Sequence, residues 1–276
     1  MRELLKDKRI YLWAALLILL AHQGLDYLFY LLLWELPIPY FTALDSLICL
    51  IFIAILLPLY LRLRWREEPL KKREMAWMIP ISLAASGMSA LILWGLELLP
   101  MEGLVGSSLQ EFETMWDDSL QDPYLFQFLS IVFLGPIFEE LLFRGVIFHS
   151  LRKYRGPIFA TFLSGVLFGL WHLQGVQMSY TIPMGILLAW VYYRSKNILL
   201  PMAVHILNNF YSTLPPGPFF DELYEKLDLV AMAVVLPMAV LLYRDIQKYR
   251  REMKYQEWSK KSPEHCETYP LYWTNQ

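Results

Sequence analysis

The chain has 276 residues, of which 57% are hydrophobic, 16% aromatic and 18% charged, with a mean hydropathy of +0.37. That is too apolar for an ordinary water-soluble domain and makes the bilayer its solvent. The net charge of −2 is sorted between loops rather than pooled, so it implies no nucleic-acid partner.

A window of about 20 residues, the length of helix that crosses hydrocarbon, predicts an all-α polytopic bundle with spans near 11–34, 43–61, 76–98, 124–150, 157–173, 178–194, 198–214 and 229–243. The first follows a basic stretch but is longer than a signal-peptide core and lacks a small-x-small cleavage site, so it is expected to be retained. His22 and Asp26 within it are four apart and are expected to make an interhelical or interfacial hydrogen bond, with a proton-linked pair as the alternative. Cys49 falls in the second span and Cys266 in the tail, so neither a disulfide nor a cysteine-based metal site is expected.

Loop charge sets orientation. Arg2, Lys6, Lys8 and Arg9 precede the first span, and Arg62, Arg64, Arg66, Lys71, Lys72 and Arg73 separate the second from the third. Glu102, Glu111, Glu113, Asp117, Asp118 and Asp122 populate the next loop without a basic residue. Arg152, Lys153 and Arg155, then Arg194 and Lys196, then the tail after Arg244 return basic charge, whereas Asp221, Glu222 and Asp228 do not. Both termini are therefore expected in the cytoplasm and the acidic loop outside. Within that loop, 103–121 has the makings of an amphipathic surface helix with Leu104, Leu109, Phe112, Met115, Trp116 and Leu120 on its apolar side.

Three organisational segments follow: 1–123 with the N-terminal spans and acidic loop, 124–246 as the chemically distinctive core, and 247–276 as a polar tail forming an extension or surface helix. His149, at the cytoplasmic end of its span, is expected to sit against the negative end of a helix dipole.

The chemistry is concentrated in three short patterns. Glu139, Glu140 and Arg144 interrupt an apolar run, where charge is expensive. Residues four apart share a helix face, so Glu140 should pair with Arg144 while Glu139 points elsewhere. A carboxylate left free in a low-dielectric pocket is a candidate general base, with a helix-locking role for both glutamates as the bland alternative. Gly135-Pro136 should loosen the helix just before them. Phe168 and His172 share a face one turn apart, and Gly165 with Gly169 should let a neighbouring helix approach closely. His205 and Asn209 likewise project together, with Asn208 turned away by about 100°, and could orient water, bind a metal or donate to an oxyanion. Counted from the basic flanks at about 1.5 Å per residue, Glu139, His172 and Asn209 lie roughly 18, 25 and 20 Å deep and His205 about 13 Å, so the four could meet in one cavity.

These patterns, EExxxR at Glu139 to Arg144, FxxxH at Phe168 to His172 and HxxxN at His205 to Asn209, occur in order over residues 124 to 213. The chain here resembles the CPBP intramembrane proteases, which include the type II CAAX prenyl endopeptidases and the bacterial Abi proteins. The resemblance implies a hydrolase that cleaves a membrane-associated peptide or protein substrate, CAAX-like lipidated ones included, from within a bacterial plasma membrane. Glu139 and His172 would activate a water, His205 and Asn209 would stabilise the tetrahedral oxyanion, and Glu140, Arg144 and Phe168 would give structural support. The family is usually labelled metalloprotease; no cofactor is strictly implied, and the alternative is a divalent zinc ion on His172, His205 and Glu139. Competing functions are a proton-linked transporter, since buried carboxylates and histidines also form proton relays, and a non-catalytic scaffold in bacteriocin self-immunity.

Overall fold

The computed structural model describes residues 9–33, 41–100 and 103–261. Among them the secondary structure is helical throughout: α1 (Arg9–Leu33), α2 (Phe41–Leu63), a short α3 (Lys72–Ala76), α4 (Met78–Glu97), α5 (Leu104–Leu120) and a single turn, α6 (Tyr124–Gln127). There follow a π-helical stretch (Phe128–Leu134), α7 (Gly135–Glu140), a second π-helical stretch (Leu141–Phe148), α8 (His149–Trp171), α9 (Gly175–Ser195), α10 (Leu199–Ser212) and α11 (Pro218–Lys261). Arg2, Lys6, Lys8, Glu102, His265 and Cys266 lie outside the described residues.

The chain is a multi-pass integral membrane protein. Among the described residues four stretches, Ile10–Phe29, Phe41–Leu63, Lys72–Glu97 and Pro218–Gln256, are long and apolar enough to cross a bilayer unaided. They carry exposed leucines and aromatics such as Leu17, Leu20, Leu50, Trp94 and Leu236, the pattern that lipid rather than water rewards. The other four expected spans form the interior. Every residue from Leu141 to Phe148 is buried, and α8 and α9 pack along their lengths.

Local sequence explains the breaks. Arg155 and Gly156 leave helical geometry, Gly156 at φ 81°, a conformation open to glycine at little cost. Pro157 then restarts the helix, which separates the expected 124–150 and 157–173 segments where the composition predicts. The close approach expected of Gly165 and Gly169 is realised against α9. A Cβ at Gly165 would lie 2.4 Å from the Ile186 nitrogen, and one at Gly169 would lie 2.7 Å from that of Ile182.

Three expectations change. The last span is the middle of one 44-residue helix, so the expected boundary between 246 and 247 falls inside α11. Its polar end is helical because it docks: Arg194 pairs with Asp245 at 3.1 Å and Glu252 at 3.2 Å, and the Trp190 indole donates to Asp245 at 2.9 Å. His149 does not cap a helix end. It is fully buried, its Nε2 lies 2.7 Å from the Tyr192 hydroxyl, and Trp65 and Phe148 pack on its ring. The acidic segment does form α5, with Leu109 buried, but Leu104 is 89% exposed. Asp122 serves as a cap rather than a free charge, accepting from the Thr42 backbone N–H at 2.7 Å and hydroxyl at 2.6 Å at the start of α2.

Candidate active site

The site begins with the irregular backbone before it. π-Helical turns are rare and concentrate at functional sites, and two of them bracket α7. Gly135 sits where the first ends; a Cβ there would come within 2.7 Å of the Ser130 carbonyl oxygen. The loosening expected of Gly135-Pro136 is thus a widened turn that delivers Glu139 and Glu140.

Glu140 and Arg144 pair as their spacing predicts, with Arg144 Nη1 donating to Glu140 Oε1 at 2.8 Å and neither side chain exposed. Arg144 Nη2 also donates to the Gly185 carbonyl at 2.8 Å, and its guanidinium lies 4.7 Å from the centre of the Phe168 ring. Further hydrogen bonds offset part of the cost of burying such a pair, although Glu140 Oε2 and Arg144 Nε have no partner among the described residues. Here those bonds tie α7 to α9.

Glu140 does more than pair with the arginine. The same oxygen lies 3.0 Å from His205 Nδ1. This oxygen already accepts from Arg144, and it accepts here too from the imidazole Nδ1–H. His172 is fixed similarly, its Nδ1 3.0 Å from the Phe168 carbonyl oxygen, which can only accept. Each histidine therefore keeps Nε2 for an occupant of the site, since a hydrogen bond at one ring nitrogen settles the role of the other. The Phe168 ring meets both imidazoles edge-on, 5.0 Å from His172 and 5.6 Å from His205. It is the shared wall that sets their orientation.

Glu139 turns away from Arg144 as expected and remains 17% exposed, its Oε2 3.6 Å from His205 Nε2. That separation is too long for a direct hydrogen bond. Asn209 Nδ2 donates to the Ile131 carbonyl at 2.9 Å, and its Oδ1 accepts from Asn208 Nδ2 at 3.1 Å.

Glu139, His172, His205 and Asn209 all line one cavity of about 760 Å³. Asn208, expected to turn away, lines it too, because the cavity wraps more than one face of α10. Phe112 and Trp116 of α5, with Tyr224 of α11, border the same space.

Another part of the wall comes from the N-terminal helices. His22 Nδ1 lies 2.7 Å from Asp26 Oδ2, the closeness their four-residue spacing sets, without hydrogen-bond geometry. His22 also reaches α2, with Nε2 3.8 Å from Asp45 Oδ1 and 3.9 Å from Cys49 Sγ, so its interhelical role is borne out. Asp45 accepts a short hydrogen bond from the Ser130 hydroxyl. Cys49 is therefore not isolated: its sulfur, an Asp45 oxygen and a His22 nitrogen lie within 4.8 Å of one another. Asp45 and Cys49 are four apart on an apolar helix, a signal available in the sequence beside the one used for His22 and Asp26.

The fold and site together define an α-helical membrane protein with a polar cavity of carboxylates, imidazoles and carboxamides enclosed by apolar helices. The family model described as Type II CAAX prenyl endopeptidase Rce1-like matches residues 121–211. This segment holds all three motifs, and the resemblance they carry is borne out. Three curated relatives agree. The putative membrane peptidase YdiL of Bacillus subtilis (strain 168) is 31% identical over 107 residues, covering 39% of this chain and 43% of the relative. CAAX prenyl protease 2 of Methanococcus maripaludis is 29% identical over 154 residues, covering 48% and 56% respectively. The membrane-embedded CAAX protease MroQ of Staphylococcus aureus (strain USA300) is 31% identical over 93 residues, covering 32% and 37%. The chain thus spans about half or less of the length of these relatives. No solved structure matches it.

Proposed function

We propose that the protein is an intramembrane endopeptidase that hydrolyses a peptide bond of a membrane-associated substrate. The observation that carries this reading is the division of labour between adjacent glutamates. Glu140 is locked by Arg144 and His205, whereas Glu139 stands at the cavity wall without the arginine, beside two imidazoles whose Nε2 atoms are free. The family match and the relatives' printed names support it.

In this mechanism a water occupies the gap between Glu139 and His205, and the His172 Nε2 lone pair accepts a hydrogen bond from it. Glu139 removes a proton as the water oxygen attacks the scissile carbonyl, which moves the carbonyl electron pair onto oxygen. To donate to that oxyanion, His205 takes up a proton at its free Nε2 as the substrate binds, while Glu140 at Nδ1 balances the charge. The Asn209 amide supplies a second donor. The tetrahedral intermediate collapses, the C–N bond breaks, and protonated Glu139 returns its proton to the leaving amine. Glu140, Arg144 and Phe168 hold the imidazoles in place and touch no reacting atom.

A zinc ion on Glu139, His172 and His205 would supply a polarised water. The free Nε2 atoms suit it, but among the described residues the three-ligand grouping within 4.8 Å is His22, Asp45 and Cys49 instead. Glu139 and His205 come within 3.6 Å of each other, but His172 does not join them in such a grouping among the described residues, and no step here is routed through a metal.

The test is cleavage of fluorogenic lipidated and unlipidated peptides by purified protein, wild type against Glu139→Gln. General-base catalysis typically contributes about 10²- to 10⁴-fold, so the variant should lose at least about a hundredfold in kcat/KM while keeping its thermal stability. Cleavage by the variant at the wild-type rate would remove Glu139 as the base. Intact biological function in a variant that cleaves nothing would identify a scaffold.

A further inference from the structure

We propose that His22, Asp45 and Cys49 form a binding site for a borderline-soft divalent cation of the zinc type, on the cavity wall facing the motif residues. It does not depend on the peptidase reading, because none of the three belongs to the matched segment 121–211.

The donor set is the first argument. Imidazole, carboxylate and thiolate are the ligand types that zinc combines in tetrahedral sites, at about 2.0–2.3 Å from the metal. Ligands at those distances in a tetrahedron stand about 3.3–3.6 Å apart. The observed separations from His22 Nε2 are 3.8 Å to Asp45 Oδ1 and 3.9 Å to Cys49 Sγ, and Cys49 Sγ lies 3.8 Å from Asp45 Oδ2. The nitrogen-to-oxygen distance is too long for a hydrogen bond, and one ligand atom of each residue lies within 4.8 Å of the other two, so the trio needs only a local contraction to close on an ion.

The surroundings are the second argument. A metal-bound histidine usually donates its other N–H to a carboxylate, which fixes the ring and the tautomer. Asp26 Oδ2 stands 2.7 Å from His22 Nδ1, a carboxylate beside the ring nitrogen that the trio does not use. Phe138 stacks on the imidazole with centroids 4.6 Å apart, and the Ser130 hydroxyl orients Asp45. The ring, the carboxylate and the thiol are thus each held by something outside the trio or by its own helix.

Charge is the third. A carboxylate at bilayer depth is costly without a cation, and among the described residues Asp45 meets a histidine rather than lysine or arginine. Binding of a divalent ion releases the Cys49 thiol proton to solvent. The thiolate and the Asp45 carboxylate then cancel the two positive charges, leaving a neutral complex suited to low dielectric. The fourth tetrahedral position is open to water or to an anionic group within the cavity these residues share with Glu139.

The experiment loads tag-free, full-length protein in detergent with Zn²⁺ or Co²⁺, removes excess by desalting, and measures bound metal by mass spectrometry. A Cys266→Ser background makes Cys49 the remaining one of the two cysteines, so thiolate-to-cobalt charge-transfer absorption reports on it alone. The expected result is one equivalent of metal with that absorption in the background protein. Both should be lost in Cys49→Ser and His22→Gln and retained in Glu139→Gln and His205→Asn. Asp26→Asn should weaken binding about 10- to 100-fold, as loss of a carboxylate behind a histidine ligand does elsewhere. No metal retained by the well-folded background protein would overturn the proposal. So would metal bound without the thiolate absorption, or metal lost on Glu139→Gln but kept by Cys49→Ser. Because the first and second outcomes need no substitution at the site, misfolding of a variant cannot rescue the idea.

Discussion

His205 Nδ1 lies 3.0 Å from Glu140 Oε1, so the glutamate that neutralises Arg144 also fixes the imidazole of the third motif. One carboxylate oxygen therefore couples three helices: α7, the π-helical turn that carries Arg144, and α10. The motifs are spaced widely in the chain but act as one hydrogen-bonded unit, and their energetics should show it.

Substitution Glu140→Gln leaves Arg144 charged and fully buried without its anionic partner. Breaking a buried pair by removing one member costs about 3–5 kcal/mol. Replacing both, as Glu140→Gln with Arg144→Met, removes the stranded charge. Thermal unfolding in detergent should place the double variant above the single one. A double variant less stable than Glu140→Gln would show that the Gly185 and Phe168 contacts of Arg144 outweigh its charge.

Phe168→Leu keeps an apolar side chain but withdraws the aromatic face from Arg144 and the edge contacts from both histidines. A desolvated cation–π contact is worth about 2 kcal/mol, so stability should fall by about 1–3 kcal/mol. Peptidase kcat should fall with little change in KM, since the ring sets imidazole orientation rather than touching substrate. An unchanged kcat in steady-state cleavage would limit Phe168 to packing.

At Gly169 a Cβ would meet the Ile182 backbone nitrogen at 2.7 Å, and backbone cannot step aside as a side-chain end can. Gly169→Val should push α8 from α9 and cost at least about 1–3 kcal/mol, the usual scale of overpacking. Gly24 in α1 has nothing within 4 Å of its would-be Cβ. Gly24→Ala should accordingly be neutral or stabilise by about 0.5–1 kcal/mol. Equal melting shifts for the two would contradict the packing described.

Asn208→Ala removes the donor to Asn209 Oδ1. A hydrogen bond of this type contributes about 0.5–1.5 kcal/mol, so kcat should drop about threefold to tenfold with KM preserved. A rise in KM at constant kcat would instead make Asn208 a substrate contact.

Much of the site was legible because helix periodicity is a local property. Four-residue spacing along one backbone pairs Glu140 with Arg144, releases Glu139, and aligns Phe168 with His172 without knowledge of any neighbour. The glycines at 165 and 169 announced a close helix contact for the same reason: a missing side chain is visible in the chain itself. Asn208 was misjudged because periodicity gives the angle between two residues, not the breadth of the cavity they meet. His149 was misplaced because its surroundings, Trp65 and Tyr192, come from segments far away in sequence.

The sequence by itself determined that the protein is an α-helical membrane bundle with a charged and imidazole-bearing interior, since the bilayer penalises every unpaired polar group and so makes each one conspicuous. Only the tertiary structure decided which helices bring those groups together. His22, Asp45 and Cys49 converge on the cavity because α1 and α2 pack against the π-helical turns around α7. Such packing depends on the rotation and register of whole helices, summed over many weak contacts, which no short stretch of chain encodes.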